Sequence, residues 1–420
     1  MILFCEECGT RHDIDEAQIV GDTHKFSCSV CNETLVVSLA NRQEGKTVQA
    51  ALQGHGASSE GVVQEKALKV LVVDDSRLIR KVLRGIIESD ERKQVIGEAE
   101  NGKIALDLIA ADRPDVITLD INMPVMDGLT TLKHIMINHP IPTVMISALT
   151  KEGATETFDS LKYGAIDFLP KPSQVKGADL NTQREEIIRK IELVASVQIE
   201  SVRYLRRPVK DKAMDRDGKM PCKFLVVIGV AEGGYGALLN VIPRLSQQIP
   251  ASYIAIMHQA PHHIDGFARY LDQCSQLHVR RAQDGQLMHG GHCYLAADSE
   301  YFSISRKVDQ IRLQLDVLPD ISKNGSINNL MRSAARAMQD DAAGVILTGT
   351  GTDGIDGLGA IIESGGTAFV QDPRSCLFKE TPMKAMKIYR VTNLISDKQM
   401  AGAINAFLMA QTKSMKEMCA

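Results

Sequence analysis

The sequence lacks the features of a membrane-inserted or secreted protein. No apolar run approaches the ~20 residues that a membrane-spanning helix needs. The short apolar run Met1–Phe4 has no basic segment before it and ends at Cys5, so we do not expect a signal peptide. We therefore expect a cytoplasmic protein with no membrane insertion.

The sequence also lacks a large excess of charge of either sign. It has 48 basic and 52 acidic residues and a formal net charge of −4, so a general polyanion-binding role is not indicated. Its 44% hydrophobic and 24% charged residues are typical of a globular protein. At ~150 residues per domain, 420 residues are enough for two large domains and a small one.

A disulfide framework is not expected either, although the chain has nine cysteines. Five of them are scattered, and the other four form two CxxC pairs that are separated by 19 residues: Cys5, Cys8, Cys28 and Cys31. Two such pairs predict a tetrahedral Zn²⁺ site with four thiolate ligands, in a segment too small to fold on a hydrophobic core alone. Residues 1–40 resemble a zinc ribbon. A redox CxxC motif is disfavoured because there are two pairs and no βαβ context.

The partner of this ribbon is not indicated by its sequence. Nucleic acid is disfavoured because the ribbon is rich in acids, namely Glu6, Glu7, Asp13, Asp15 and Glu16. Residues 41–66, which follow, are rich in Gly, Ser, Gln and Ala and are typical of a flexible linker.

Four β-like apolar runs in the next part of the chain end on polar residues. The first ends on the pair Asp74-Asp75, the second on Asp120, the third near Ser147 and the fourth on Lys171. One acid at a strand end is usually a helix cap or a turn. Four such ends in a row predict a ligand site at the carboxyl edge of an open parallel sheet.

The chemistry of this set indicates phosphoryl transfer. Three crowded carboxylates repel one another unless a hard cation such as Mg²⁺ lies between them. With Asp120 as nucleophile, Asp74 and Asp75 would hold the metal. Lys171 would neutralise an incoming phosphoryl group, and Ser147 would hydrogen-bond one of its oxygens.

These residues resemble the receiver domain of two-component response regulators, over residues 67–178. The resemblance implies a flavodoxin-like doubly wound fold, Mg²⁺ held by Asp74, Asp75, Asp120 and Asn122, and an aromatic switch position at Phe168. It also implies that Asp120 receives its phosphoryl group from a chemotaxis histidine kinase.

A helix and linker are predicted over residues 179–220, a second α/β domain over 221–412 and a short tail over 413–420. Several segments of the second domain, including GVILTGTGTDGIDGL and SGGTAFVQDPRSC, occur in the order typical of chemotaxis protein-glutamate methylesterases. With the receiver in front, the chain resembles a CheB-type methylesterase with a second, Rossmann-like parallel sheet. The implied partners are the cytoplasmic helices of chemoreceptors.

Two of the three catalytic positions of that family are altered here. Ala231 replaces the serine nucleophile and Gln259 the histidine base, whereas the aspartate is retained as Asp353. Alanine has no nucleophilic atom, and the glutamine amide is not a base at neutral pH. Loss of triad members costs ~10⁴ to 10⁶ in rate, so we predict a binding protein with almost no hydrolase activity.

An active glutamate methylesterase or deamidase is the alternative interpretation. His258 lies one position before Gln259, and Glu232 directly follows Ala231, so either side chain could supply a base or activate water. The neighbouring His262 and His263 are expected to be surface loop residues without a metal role.

Overall fold

A computed structural model describes residues 2–4, 11–13, 23–27, 34–38, 67–147, 154–172, 180–197, 220–307, 310–316, 325–390 and 394–418. The chain divides into two compact units. One contains Met1–Ile141 and Asp179–Ile188, and the other contains Pro142–Ala178 and Arg189–Ala420.

The N-terminal segment forms two antiparallel hairpins. Strand β1 (Ile2–Phe4) pairs with β2 (Arg11–Asp13), and β3 (Thr23–Ser27) pairs with β4 (Thr34–Ser38). The stretch between β1 and β2 contains Cys5 and Cys8, and the stretch between β3 and β4 contains Cys28 and Cys31. The four cysteines and the predicted linker over residues 41–66 lie outside the described residues, so the zinc site stays a prediction.

Five parallel strands and their helices form the predicted receiver sheet. In chain order the elements are β5 (Leu68–Val73), α1 (Arg77–Ile87), β6 (Lys93–Ala99), α2 (Gly102–Ala111), β7 (Val116–Asp120), α3 (Gly128–Asn138), β8 (Thr143–Ser147), α4 (Ala154–Lys162), β9 (Asp167–Pro170) and α5 (Leu180–Ala195). The strand order β6-β5-β7-β8-β9 is the flavodoxin-like order.

The helices of this region begin where the sequence supplies capping side chains. The Ser76 hydroxyl accepts a hydrogen bond from the N–H of Ile79 at the start of α1. The Asp127 carboxylate accepts one from the N–H of Thr130 at the start of α3. Each cap satisfies a helix N–H that has no partner within the helix.

A seven-stranded parallel sheet forms the second α/β domain. Its elements are β10 (Phe224–Val230), α6 (Gly234–Val241), β11 (Ala251–Met257), α7 (Pro261–Cys274), β12 (His278–Arg281), β13 (His292–Ala297), α8 (Ser326–Met338), β16 (Ala342–Ile346), α9 (Ile355–Glu363), β17 (Thr367–Gln371), α10 (Glu380–Tyr389), β18 (Leu394–Ile395) and α11 (Asp397–Met418). The strand order is β12-β13-β11-β10-β16-β17-β18, and a separate hairpin joins β14 (Phe302–Lys307) to β15 (Gln310–Leu315). The prediction of two parallel-sheet α/β domains is therefore confirmed.

The core of this sheet follows from its sequence. All seven residues of β10 and all seven of β11 are buried, which explains their continuous apolar runs. Ile327 and Leu330 of α8 and Leu358 of α9 cover one face. The central strand β10 therefore ends at a fixed position, directly before the turn that carries Ala231.

An aromatic cluster in the second unit buries the predicted switch residue. The Phe168 ring of β9 lies 4.7 Å from the Tyr235 ring of α6 and 5.6 Å from the Phe158 ring of α4, between ring centroids. Phe158 also contacts Phe267 and Tyr270 of α7, at 5.1 and 5.3 Å. Phe168 is thus part of a packed core.

A buried ion pair lies at the side of β9. Lys190 of α5 donates from Nζ to Asp167 Oδ2 over 2.8 Å, and both side chains are less than a tenth exposed. Asp167 also accepts a hydrogen bond from the N–H of Phe168 through its other oxygen. A buried charge that loses such a partner is strongly destabilising, so this pair fixes Lys190 against β9.

One expectation about the second domain is wrong. His262 and His263 belong to helix α7 and not to a loop, and His263 is only 7% exposed. The ring of His263 lies 5.5 Å from that of Phe168. Pro261 at the first position of the helix starts α7 earlier than the polar sequence suggests. In the described part of the chain, no helix is long and apolar enough to cross a membrane.

Candidate functional site

An acidic cluster forms at the carboxyl ends of β5 and β7. Asp74 and Asp75 follow β5 and Asp120 ends β7, and one carboxylate oxygen from each lies within 4.8 Å of the others. Asp74 and Asp120 are buried, whereas Asp75 is exposed. Asn122, on the loop after β7, is exposed. The structure thus brings together the three acids that the sequence placed at strand ends.

The carboxylates of this cluster are held by the backbone around them. Asp74 Oδ1 accepts a hydrogen bond from the N–H of Ser76, and Asp120 Oδ1 accepts one from the N–H of Ile121, each over 2.8 Å. These bonds fix the direction of both side chains. An all-oxygen donor set with one exposed member suits Mg²⁺, which keeps several of its waters.

Ser147 and Lys171 lie in the second compact unit, at the ends of β8 and β9. The Ser147 hydroxyl lies 3.0 Å from the hydroxyl of Thr157 on α4. The N–H of Lys171 donates to the carbonyl of Ser147 over 3.0 Å. The two predicted phosphoryl-binding residues are therefore neighbours on adjacent strands.

A cleft opens where β10 passes into α6. Gly233 takes the left-handed conformation there, with φ 75°, at the position that begins α6. A residue with a side chain adopts this conformation at a cost, so the glycine permits the sharp turn that places Ala231 and Glu232 at the cleft. The cleft is lined by these two residues and by Arg189, His258, Asp298, Thr350 and Asp353.

Both carboxylate oxygens of Glu232 have partners within the cleft. Its Oε2 accepts hydrogen bonds from the N–H and the hydroxyl of Thr350, over 3.1 and 2.8 Å, and its Oε1 lies 3.4 Å from Nη1 of Arg189. Burial raises the pKa of the Glu232 carboxyl, but the Thr350 hydrogen bonds and the nearby His258 lower it by more. The pKa therefore lies below its ordinary value, and the carboxylate is ionised at neutral pH.

His258 forms a pair with Asp298 in the same cleft. Its Nδ1 lies 2.7 Å from Asp298 Oδ2. The hydrogen bond to Asp298 raises the pKa of His258, burial lowers it, and the negative charge of Glu232 adds to the increase. The net pKa lies above the ordinary value. Gln259, at the family's base position, is not among the described residues that line the cleft.

Asp353, the retained member of the predicted triad, caps a helix. Its two carboxylate oxygens accept hydrogen bonds from the N–H groups of Ile327 and Asn328, over 3.0 and 2.9 Å. The residue before α8 is Gly325, which has no side chain for this task. Asp353 therefore supplies from a distant loop the cap that the start of α8 lacks.

Three residues of the cleft were not predicted to take part in it. Asp298 and Thr350 belong to the predicted second α/β domain, and Arg189 lies on the helix predicted within residues 179–220. Asp298 is 40 residues from His258 in the chain, and Thr350 is 118 from Glu232. No local spacing signals such distant pairs.

Comparison with known proteins identifies both α/β regions. Residues 70–179 match the response regulator receiver domain, and residues 226–404 match the CheB methylesterase family. A protein-glutamate methylesterase/protein-glutamine glutaminase of Pyrococcus horikoshii is 35% identical over 328 residues, which are 77% of this chain and 88% of that one. The chain belongs to the CheB family. It is a chemotaxis response regulator with a receiver and a methylesterase domain.

Other members of the family show a similar extent of match. A protein of the same name from Geobacillus kaustophilus is 35% identical over 311 residues, or 74% of this chain and 89% of that one. The crystal structure of the CheB methylesterase catalytic domain of Thermotoga maritima matches with 25% identity and a TM-score of 0.42, covering 44% of this chain and 98% of that one.

Proposed function

We propose that this response regulator is switched by phosphorylation of Asp120 and acts through a methylesterase-like domain that binds its target without hydrolysing it. The observation that best supports this proposal is the alanine at position 231. A methyl group occupies the strand-to-helix turn where the family pattern has the serine nucleophile, and Gln259 is not among the described residues that line the cleft. Acyl transfer by a triad needs an oxygen nucleophile and a base that takes its proton.

The receiver would take its phosphoryl group from a chemotaxis histidine kinase. Asp74, Asp75, Asp120 and Asn122 would hold Mg²⁺, and Ser147 and Lys171 would bind phosphoryl oxygens. The convergence of three carboxylates within 4.8 Å supports this assignment.

The target would be the cytoplasmic helices of chemoreceptors, since the relatives are named for action on glutamate and glutamine in proteins. Zn²⁺ held by the four N-terminal cysteines would stabilise the small ribbon in front of the receiver. The two hairpins, each with a CxxC pair in the stretch between its strands, support a ribbon of this kind.

Methanol release from methylated receptor membranes tests the proposal. The purified protein is assayed with and without acetyl phosphate, beside an Asp120→Ala control, and its binding to the same membranes is measured in parallel. We expect donor-dependent binding that Asp120→Ala abolishes, with methanol release at background. Donor-dependent methanol release would overturn the proposal.

An active methylesterase or deamidase is the second candidate. The His258–Asp298 pair, 2.7 Å apart in the cleft, favours it, because a carboxylate that orients a histidine is part of many hydrolytic sites. If this candidate is correct, Glu232→Gln, His258→Ala and Asp353→Asn should each remove the methanol release. If the protein acts by binding alone, Asp353→Asn should leave receptor binding intact.

A further inference from the structure

We propose that the cleft binds the cationic side chain of an arginine from a partner protein, with Glu232 as the residue that receives its guanidinium group. This inference rests on the proposed binding function and assigns a ligand to the same site. Arg189, which reaches the cleft from α5, marks the place where such a group would lie.

The charges that line the cleft favour a cation. Among the described residues of the lining, Glu232, Asp298 and Asp353 are acids, and only Arg189 and His258 can carry a positive charge. A positive charge on His258 is balanced by Asp298, which lies 2.7 Å away. Asp353 is bound to two backbone N–H groups, which carry no formal charge. Without Arg189, the cleft therefore has an excess of negative charge.

Glu232 is held in position to accept hydrogen bonds from that cation. Thr350 donates to Oε2 from its N–H and its hydroxyl, over 3.1 and 2.8 Å, while Oε1 faces Arg189. Burial raises the pKa of Glu232, but the Thr350 hydrogen bonds and the nearby His258 lower it by more, so the carboxylate is ionised at neutral pH. The side chain is only 11% exposed. An opposite charge placed there is therefore screened less by water than at the surface.

Arg189 occupies this position loosely. Its Nη1 lies 3.4 Å from Oε1 of Glu232, which is longer than the ~2.7–2.9 Å of a strong hydrogen bond between two charged groups, and its side chain is half exposed. Such a pair contributes little free energy. An arginine of a partner protein is not attached to α5, so it can approach the carboxylate more closely and displace Arg189. The planar guanidinium matches a carboxylate better than an ammonium group does, which favours arginine over lysine.

An NMR titration of the full chain tests the proposal. The amides of Nα-acetylarginine, Nα-acetylcitrulline and Nα-acetyllysine are added to the Arg189→Ala variant, which lacks the competing guanidinium, and the Thr350 N–H signal reports binding. Citrulline has nearly the shape of arginine and keeps N–H donors, but it has no charge. We expect the arginine amide to bind at least about tenfold more tightly than the citrulline amide, with the lysine amide between them. The arginine amide should bind the parent chain at least about fivefold more weakly than the variant, because Arg189 is tethered beside the site and competes.

Adding Glu232→Gln to the Arg189→Ala variant should reduce the preference for arginine to about threefold or less, because the change removes the charge and keeps the oxygen that Thr350 binds. The matched control is Glu380→Gln. Glu380 pairs with Lys384 on the exposed surface of α10, so the same chemical change there should leave the preference intact.

Three results of the titration would overturn the inference: equal binding of the citrulline amide, tighter binding of the lysine amide, or a preference for arginine that survives Glu232→Gln unchanged. The titration contains no receptor. Methanol release from receptor membranes would therefore overturn the binding function and leave the measured preference for arginine unchanged.

Discussion

The acidic cluster and the cleft both lie at the carboxyl ends of parallel strands, but their acids are arranged in opposite ways. In the cluster, three carboxylates converge within 4.8 Å. In the cleft, each acid has a partner of its own: Thr350 and Arg189 for Glu232, His258 for Asp298, and backbone N–H groups for Asp353. Converging like charges favour a cation from outside, whereas the acids of the cleft are each paired with a neighbouring group of the protein.

The largest effect is expected from restoring the nucleophile. Ala231→Ser places a hydroxyl in the cleft that His258 also lines, so a base oriented by Asp298 is available to take its proton. We expect methanol release to rise at least about 100-fold over background, since a triad is worth far more than that. Adding His258→Ala to the Ala231→Ser variant should return methanol release to its uncatalysed rate. A serine variant as inactive as the parent would show that the two side chains do not cooperate.

A smaller effect is expected from removing one carboxylate of the acidic cluster. Asp74→Asn should weaken Mg²⁺ binding by about tenfold or more, because a hard cation prefers a charged oxygen ligand. The same change should leave stability without metal equal or greater, because it relieves repulsion. A Mg²⁺ titration with receiver phosphorylation as its readout measures the first effect. Urea unfolding in the presence of a chelator measures the second. Asp107→Asn, on the exposed side of α2, is the control and should change neither.

A loss of about 1 kcal/mol is expected from Asp353→Asn, because the amide keeps one acceptor oxygen and so one of two backbone partners goes unsatisfied. The comparison variant is Asp356→Asn, which breaks only an exposed pair with Arg332 and should cost under about 0.5 kcal/mol. Urea unfolding of both variants measures the difference in stability. Equal stability of the two variants would show that Asp353 is not the cap of α8.

The smallest effect concerns the pH dependence of the His258–Asp298 pair. Because the folded-state pKa of His258 is raised above 6.5, the pair stabilises the fold fully at pH values below 6.5 and loses this contribution as the pH rises through the folded-state pKa. An NMR titration of the imidazole should give a midpoint above 6.5, and Asp298→Asn should lower it. A midpoint at or below the ordinary value would contradict the pairing.

The convergence of the three acids could be predicted because its signal is local. Asp74, Asp75 and Asp120 each end an apolar run, and parallel strands align their carboxyl ends without further information. The short-range pattern of apolar runs was therefore sufficient to predict the two sheets and the acidic cluster.

The cleft could be predicted only in part, because its partners are brought together by the fold. The sequence indicated that His258 was one position away from the family's base, but only the structure shows it lining the cleft with Asp298 as its partner. The polar pair His262-His263 suggested a loop, whereas Pro261 begins a helix that buries His263. Tertiary packing overrides local polarity at such positions.

Two successive residues of α5 make ion pairs of very different strength. Lys190 is held in a buried pair with Asp167, whose loss is strongly destabilising, whereas Arg189 contacts Glu232 through a more exposed pair that contributes little free energy. Neighbouring residues of an α-helix point about 100° apart, so the two contacts lie on different sides of one helical turn. The helix can therefore lose the arginine contact while the lysine contact stays in place.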